Sequence, residues 1–303
     1  MTIEDWRRWQ YELEKEYARK FLLSQKGSRE RAELFRLAYS DVIGNVIEHY
    51  NPGGGETQHI TVTAAIVKTL LPSPTGRKIF DLGCGSGKLL AALAKDGYDA
   101  YGTDLSANSI KIGRSALSKF QKADHIRQED FLDYVSSTTF DAIIMDNVIE
   151  HLIPDTVSDV LLKCYAMLKS EGFLIVLTPH VLSGPHDISK YFVPCGAKAE
   201  GFHLREYSFT DLDQCLRNSG FSEVFGFPFH PRLMDQCGLL PWASRWAAVK
   251  SMKLEKIAQR PLVRRMLQSK ATFAKIATAF GFPAVAVGVK HRATEQACTR
   301  HSF

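Results

Sequence analysis

The chain has 303 residues, of which 45% are hydrophobic and 23% charged, and its formal net charge is +5. A chain of this length and composition can bury a large core, which excludes a disordered, fibrous or small disulfide-stabilised protein. Its six cysteines form no CxxC pair, and the amino terminus MTIEDWRRWQ lacks an apolar segment, so we expect reduced thiols, no signal peptide and a cytoplasmic location.

Two amphipathic helices are predicted at the amino terminus. Apolar residues recur at helical spacing on both sides of a break at Gly27: Trp6, Trp9, Leu13, Tyr17 and Phe21 before it, and Phe35, Val42, Val46 and Tyr50 after it. The turn-rich sequence NPGGGE at 51–56 ends this extension, and a further helix at 61–71 leads into the first strand.

A glycine-rich turn follows the first predicted strand, in the sequence IFDLGCGSGKLL at 79–90. A phosphate-binding P-loop needs four residues between its glycines, but Gly83 and Gly87 enclose three, and Leu89 stands where Ser or Thr is required. A dinucleotide fingerprint that starts at Gly83 would have its third glycine at position 88, which is Lys88. Glycines here permit a tight turn and close approach to a ligand, although an ordinary strand-to-helix turn uses them as well.

Strands and helices alternate beyond that turn. The second strand, AYGTDLS, carries Asp104 at its carboxyl end, where an acid can bind both ribose hydroxyls of a nucleoside. The third, HIRQEDF, ends at Asp130 and Phe131, and the fourth and fifth are FDAIIMD and FLIVLTPH. A sixth strand, FSEVFGFPF, and a returning strand, FPAVAVGVK, complete seven.

This ordered set of motifs resembles the class I S-adenosylmethionine-dependent methyltransferases over roughly residues 60–230. The resemblance implies an α/β fold, with a Rossmann-like, doubly wound, mostly parallel seven-stranded sheet, an N-terminal helical extension and a helical insertion before the last strand. It implies S-adenosylmethionine as the cofactor and assigns its binding to Asp81, Gly83, Cys84, Gly85, Asp104, Leu105, Asp130, Phe131 and Asp146.

A second group of residues follows the fourth strand, in NVIEHL at 147–152. It resembles the ExxEH motif of metal-dependent oxygen methyltransferases that act on RNA terminal riboses and on ubiquinone-type catechols, in which a later histidine completes the site. The resemblance implies a divalent cation, Mg²⁺ or Zn²⁺, held by Asn147, Glu150, His151 and His203, the first three on one face of a helical turn. Asn147 stands where that family has an acid, which predicts weaker or vestigial metal binding.

Without a cation, the acceptor would need a general base. His151 is one candidate, and the long segment at 181–206, with the residue before it, supplies three others: His180, His186 and Asp187. The alternative is purely structural, in which Glu150 caps backbone amides, His151 orders the turn and His203 is a loop residue.

A basic helical insertion is predicted at 230–281, a segment that contains ten Lys or Arg residues and only two acidic residues. Its net charge is +8, whereas the rest of the chain sums to −3. Such a segment can face an anionic membrane surface or a phosphorylated substrate, less readily nucleic acid, or it can be a solvated lid. The predicted domains are therefore 1–56, 57–229, 230–281, and a last strand with its tail at 282–303.

The resemblance implies O-methylation of a hydroxyl on a small molecule, a sugar or glycan, or a lipid-linked precursor, by in-line methyl transfer. No Asn/Asp-Pro-Pro-aromatic sequence follows the fourth strand, which disfavours methylation of DNA-base nitrogens. The only Pro-Cys pair, Pro194 and Cys195, follows the fifth strand, which disfavours a cysteine nucleophile. N-methylation of a small amine, 2′-O-methylation of RNA and a non-catalytic cofactor-binding scaffold stay open, as does the oligomeric state.

Overall fold

The structure is a computed structural model that describes residues 1–49, 56–194, 196–226 and 284–291, together with 252, 253, 255–258, 260 and 263. Positions 51–55 of the predicted linker, most of the basic insertion and the tail beyond 291 lie outside these described residues. Among the helices of the described residues, none is both long and apolar enough to cross a bilayer.

A seven-stranded sheet forms the centre of the fold. Its strands are β1 (Lys78–Leu82), β2 (Asp99–Asp104), β3 (Ile126–Gln128), β4 (Phe140–Asp146), β5 (Leu168–Thr178), β6 (Glu223–Gly226) and β7 (Ala284–Lys290). They lie in the order β3-β2-β1-β4-β5-β7-β6, and β7 runs antiparallel to both of its neighbours, β5 and β6. The strand order reverses between β1 and β4, the switch point at which open α/β sheets bind ligands. The predicted Rossmann-like, mostly parallel sheet is confirmed.

Helices cover both faces of the sheet. One face carries α3 (Glu56–Leu70), α4 (Lys88–Lys95) and α5 (Ala107–Ser118), and the other carries α6 (Val157–Met167) and α7 (Phe209–Asn218). Along β4 the side chains alternate, so that Ile144 joins the first layer and Ile143 the second. A central strand buried on both faces is mostly apolar, which explains the run AIIM within FDAIIMD, and the buried Asp141 of this strand is paired with Arg77 and Lys169.

The two predicted N-terminal helices, α1 (Ile3–Leu23) and α2 (Arg29–His49), are confirmed. Thr2 and Asp5 form a capping box that begins α1. Both helices pack on the segment after β5 through an apolar cluster that contains Phe21, Val42 and Phe202. The helical pair therefore lies at the carboxyl ends of the parallel strands.

Two local predictions differ from the structure. β3 ends at Gln128, so Asp130 and Phe131 lie in the turn beyond the strand. The segment after β4 forms a single 3₁₀ turn, Ile149–His151, and Asn147 precedes that turn with a φ of 56°. The prediction that Asn147 shares a helical face with Glu150 and His151 is wrong, because the chain leaves β4 through a left-handed residue, a conformation that Asn tolerates better than most residues.

Candidate functional site

A cavity of about 460 Å³ lies at the carboxyl ends of β1, β2 and β4, where the strand order reverses. Five of the predicted cofactor residues line it: Gly83, Asp104, Leu105, Asp130 and Phe131. Asn147 and His151, from the predicted metal group, line it as well. The structure therefore brings residues from four strand ends together in one space, as a nucleoside-containing ligand requires.

The glycine turn forms the floor of this cavity. Gly83 has a φ of 74°, and a Cβ atom there would lie 2.7 Å from Val148 Cγ2, so both the backbone conformation and the packing require glycine. The other three predicted cofactor residues of this turn, Asp81, Cys84 and Gly85, support it from behind: Asp81 and Cys84 are buried, and the Gly85 N–H donates to Asp104 Oδ2 at 2.9 Å.

Local backbone groups orient the two predicted cofactor-binding acids. Besides Gly85, the Ser106 N–H donates to Asp104 Oδ1 at 2.8 Å, while the Leu132 N–H donates to Asp130 Oδ1 at 2.9 Å. Burial raises the pKa of Asp104 above its ordinary value, and the backbone hydrogen bonds oppose that shift. Asp146, which was also predicted to bind the cofactor, is not among the residues that line this cavity. Its Oδ2 accepts from Thr63 Oγ1 on α3 at 2.6 Å.

Sequence reasoning missed one wall of the cofactor cavity. That wall consists of α2 and the turn before it, through Gly27, Ser28, Arg31, Ala32, Phe35 and Tyr39. The Tyr39 hydroxyl lies 3.4 Å from Asp104 Oδ2. The available signal was the aromatic pair Phe35 and Tyr39, four residues apart on one face of a predicted helix.

A second, smaller cavity of about 200 Å³ adjoins the first. Three separate parts of the chain line it: the N-terminal helices, the turn after β4 and the segment after β5. His151 lines both cavities. A molecule in the small cavity and a cofactor in the large one would therefore meet at this side chain.

Three of the four predicted metal ligands, Glu150, His151 and His203, come together beside His151. Each offers one ligand atom, and these atoms all lie within 4.8 Å of one another. The 3₁₀ turn supplies Glu150 and His151, and the long segment after β5 supplies His203. Donor atoms at such mutual distances can share one cation.

Hydrogen bonds fix the orientation of both imidazoles. His151 Nδ1 lies 3.0 Å from the Phe202 carbonyl oxygen, and His203 Nδ1 lies 2.9 Å from Glu206 Oε1, which also accepts from the His186 N–H. Because these oxygens accept, both Nδ1 atoms carry the proton, and both Nε2 atoms keep a lone pair. Metal-binding histidines show this arrangement.

The Glu150 carboxyl completes the donor set. It is fully buried; its Oε2 accepts from Thr178 Oγ1 at 2.9 Å, and within the described part of the chain its Oε1 has no hydrogen-bond partner. Burial raises the pKa of Glu150 to about 8 and lowers the pKa of His151 to about 3 and that of His203 to about 4. The imidazoles are therefore neutral at neutral pH, as a metal site requires, and they are weak bases.

His180, a predicted general base, is engaged elsewhere. It is buried, its Nδ1 accepts from the Leu182 N–H at 3.1 Å, and its Nε2 donates to Glu255 Oε1 at 2.8 Å. Glu255 belongs to the predicted basic insertion and also accepts from the Phe209 N–H at 2.6 Å, at the start of α7. This part of the insertion is therefore docked on the core, and neither cavity includes His180 among its lining residues.

The other two predicted bases, His186 and Asp187, line the small cavity. His186 Nε2 lies 2.9 Å from Ser183 Oγ, and burial lowers the pKa of His186. Asp187 accepts from the backbone N–H groups of Ser189, Gly201 and His203. Asp187 thus organises the segment that carries His203.

Helix α1 reaches the same site through a chain of contacts. The Gln10 amide donates to Glu14 Oε1 at 2.8 Å, and Glu14 Oε2 accepts from the Phe202 N–H at 2.9 Å. Phe202 is the residue whose carbonyl oxygen holds His151. Sequence reasoning gave α1 no role, although a polar pair among its buried aromatic positions was visible in the sequence.

An open, mostly parallel sheet with a cavity at its switch point and an acid at the end of β2 defines a nucleoside-binding α/β fold. Residues 57–224 match the family described as Methyltransferase domain. The chain belongs to this family, within the class I S-adenosylmethionine-dependent methyltransferases.

Curated relatives carry related names. A ubiquinone biosynthesis O-methyltransferase from Actinobacillus pleuropneumoniae is 32% identical over 109 residues, which are 34% of this chain and 46% of the relative. One of the same name from Psychrobacter arcticus is 25% identical over 195 residues, 56% of this chain and 69% of the relative. The chain therefore spans less than half the length of the first of these relatives.

Solved structures show the same fold. The 1,6-didemethyltoxoflavin-N1-methyltransferase of Burkholderia thailandensis aligns with a TM-score of 0.51 and 18% identity, over 65% of this chain and 81% of that one. Phosphoethanolamine N-methyltransferase 2 of Haemonchus contortus aligns with a TM-score of 0.51 and 19% identity, over 91% of this chain and 60% of that one. Residues 1–49 lie outside the segment that matches the family.

Proposed function

We propose that the chain transfers the methyl group of S-adenosylmethionine to a hydroxyl oxygen of a small-molecule acceptor. The observation that carries this proposal is the position of His151, which lines both the cofactor cavity and the small cavity. An acceptor in the small cavity would have its reacting oxygen beside the cofactor. In-line displacement depends on such alignment, which supplies roughly 7 to 11 kcal/mol of the barrier reduction. The names of the curated relatives support oxygen as the acceptor atom.

Glu150, His151 and His203 would hold a divalent cation at this point. Two imidazoles and one carboxylate favour Zn²⁺ or a similar transition ion over Mg²⁺, which prefers oxygen ligands. A cation bound there would lower the pKa of the acceptor hydroxyl and so favour the nucleophilic alkoxide at neutral pH.

The pKa of His151 favours this arrangement over general-base catalysis. A base is most effective when its pKa lies near the working pH, and burial places the pKa of His151 at about 3. As a neutral ligand, the same imidazole needs no protonation change. Glu206 and the Phe202 carbonyl oxygen would keep both rings in the ligating tautomer.

The test combines labelling with metal removal. We would incubate the protein with methyl-labelled S-adenosylmethionine and cell extract, identify the labelled product, and repeat the assay after treatment with a chelator and after addition of Zn²⁺. We expect a methyl ether as product, loss of labelling with the chelator and recovery with Zn²⁺. His151→Ala and Glu150→Gln should abolish labelling, whereas His291→Ala, at an exposed position beyond β7, should not.

Two outcomes would revise the proposal. Labelling that survives the chelator but not His151→Ala would make His151 the general base and remove the cation. A labelled amine in place of an ether would show that the acceptor atom is nitrogen.

A further inference from the structure

The small cavity is the size of one ring. Its volume is about 200 Å³, and a cavity of about 150 Å³ is enough for a benzene molecule. Trp6, Tyr191 and Phe202 supply aromatic surface to its wall. A flat, ring-sized group therefore fits the space, with its reacting hydroxyl at His151.

Gln10 of α1 places an unpaired acceptor in this wall. The side chain is fully buried, and its Oε1 has no hydrogen-bond partner among the residues that the structure describes. Its Nε2 lies 2.8 Å from Glu14 Oε1 and 3.5 Å from the Val42 carbonyl oxygen, which are both acceptors. When Glu14 is ionised, both neighbours accept, so the amide turns its Nε2 toward them and its Oε1 away from them. A buried acceptor without a partner is costly unless a ligand supplies the donor.

The charges of the wall limit the acceptor further. Glu14 and Asp187 both line the cavity, and Lys190 is the basic side chain among its lining residues. Glu14 is held by Gln10 and the Phe202 N–H, and Asp187 by three backbone N–H groups, so both acids are fixed in place. At a pH above about 7, where Glu14 is ionised, an anionic group would meet two carboxyl groups against the one ammonium group of Lys190, which disfavours it.

We propose that Gln10 is a specificity-determining residue for the acceptor, and that its Oε1 accepts a hydrogen bond from a second hydroxyl or N–H of a neutral, ring-sized acceptor. The inference rests on the proposed function, because it assumes that the reacting hydroxyl lies at His151. It assigns acceptor choice to a helix outside the family-matched segment.

The experiment uses three matched probes that share two adjacent ring hydroxyls. These are 3,4-dihydroxybenzyl alcohol, which has an additional donor, 4-methylcatechol, which lacks it, and 3,4-dihydroxybenzoate, which is anionic. Methyl transfer from labelled S-adenosylmethionine gives kcat/KM for each. We expect the alcohol to exceed 4-methylcatechol by about 5- to 150-fold, the range of one hydrogen bond to a buried acceptor, and the benzoate to be the poorest.

Two variants locate the effect. Gln10→Met keeps the length of the side chain and removes the acceptor, so the preference for the alcohol over 4-methylcatechol should disappear, mainly through KM. Glu14→Gln would offer an N–H to Gln10, turn the Gln10 amide around and present its NH₂ group to the cavity, so the preference should disappear there too. Gln25→Met, at an exposed position in the turn after α1, is the matched control and should keep the wild-type ratio.

The outcomes separate this inference from the proposed function. If the alcohol and 4-methylcatechol are methylated equally, or if Gln10→Met keeps the ratio, the role of Gln10 is wrong while O-methylation stands. If extract is labelled but none of the probes is methylated, the acceptor class is wrong. If calorimetry shows S-adenosylhomocysteine binding but neither extract nor probes are labelled, the proposed function fails, and this inference fails with it.

Discussion

The cofactor cavity and the small cavity hold their acids in different ways. At the cofactor cavity, Asp104 and Asp130 accept from backbone N–H groups that are at most 19 residues away. At the small cavity, Asp187 accepts from backbone N–H groups that are at most 16 residues away, but Glu14 accepts from a backbone N–H 188 residues away. Burial raises the pKa of Glu14 to about 7 and that of Glu150 to about 8.

The difference shows what each site needs to form. The hydrogen bonds that orient Asp104 and Asp130 form once β1, β2, β3 and the turns after them are folded, because they are local, and α2 then adds the remaining wall of the cofactor cavity. The small cavity forms only when α1, the turn after β4 and the segment after β5 meet. Substitutions of Asp104 and of Glu14 should therefore act on different cavities, and the titration of Glu14 should make the packing of α1 depend on pH.

The largest effect is expected from Asp104→Ala, which removes a carboxylate from the cofactor cavity and leaves the small cavity unchanged. If the carboxylate accepts both ribose hydroxyls, the loss of two charge-assisted hydrogen bonds should weaken S-adenosylmethionine binding by about 3 to 6 kcal/mol, which is roughly 10²- to 10⁴-fold. Calorimetry with S-adenosylmethionine measures this, and circular dichroism checks the fold. Asp124→Ala, at an exposed position before β3, is the control. An unchanged dissociation constant would refute the role of Asp104.

The second prediction concerns the pH dependence that Glu14 gives to folding. Its pKa rises from 4.5 in the unfolded chain to about 7 in the folded protein because of burial. The neutral form therefore favours folding, and this contribution to stability is present below about pH 4.5 and lost as the pH rises through about 7. The loss is about 3 kcal/mol.

Glu14→Gln removes this titration, so urea unfolding at several pH values should show a flatter dependence of the unfolding free energy on pH than in the wild type. Glu12→Gln, exposed on the same helix, should leave the wild-type dependence in place. Equal slopes for both variants would mean that Glu14 is ionised in the folded protein.

Two ion pairs that tie the helical pair to the region around α6 give the third prediction. The Arg31 guanidinium is buried and donates to Asp155 Oδ1 at 2.7 Å, whereas Lys26 and Asp159 form an exposed pair at 2.7 Å. Arg31→Met should lower the unfolding free energy by about 2 kcal/mol, because a buried charged donor is lost. Lys26→Met should lower it by less than about 0.5 kcal/mol. Thermal unfolding measures both losses of unfolding free energy. Losses of similar size would contradict the prediction that the buried pair stabilises the fold more than the exposed pair.

The smallest effect is expected for the change in Zn²⁺ affinity per pH unit at the proposed metal site. Glu150 must lose its proton to bind a cation, and its pKa is about 8. Affinity measured by calorimetry with Zn²⁺ should rise about tenfold per pH unit up to about pH 8 and then level off, since both imidazoles are already neutral. Glu150→Gln should bind weakly, without this slope. A slope near pH 6.5 would mean that a histidine titrates instead.

The sequence predicted those parts of the molecule that depend on local order. The glycine turn, the alternation of strands and helices, the returning last strand and both N-terminal helices are all confirmed. The apolar periodicity of each segment determines its type and its buried face, so these elements can be predicted from short windows of sequence.

Predictions that depend on long-range contacts were weaker. His203 meets His151 only because Asp187 and Glu14 hold the segment between them, and no spacing in the sequence encodes those contacts. The engagement of His180 by Glu255 was equally invisible, since 75 residues separate the pair. Asn147 does not share a helical face with Glu150 and His151, because its φ of 56° is left-handed, and the sequence did not predict that backbone angle.

The N-terminal helices lie outside the family-matched segment, yet they line both cavities. Both cavities therefore depend on a segment that the family match does not cover. If Gln10 sets the choice of acceptor as proposed, a change in α1 alters that choice and leaves Asp104 and the glycine turn in place. Homologues that share the matched segment but differ in α1 should then be treated as enzymes of different substrate choice.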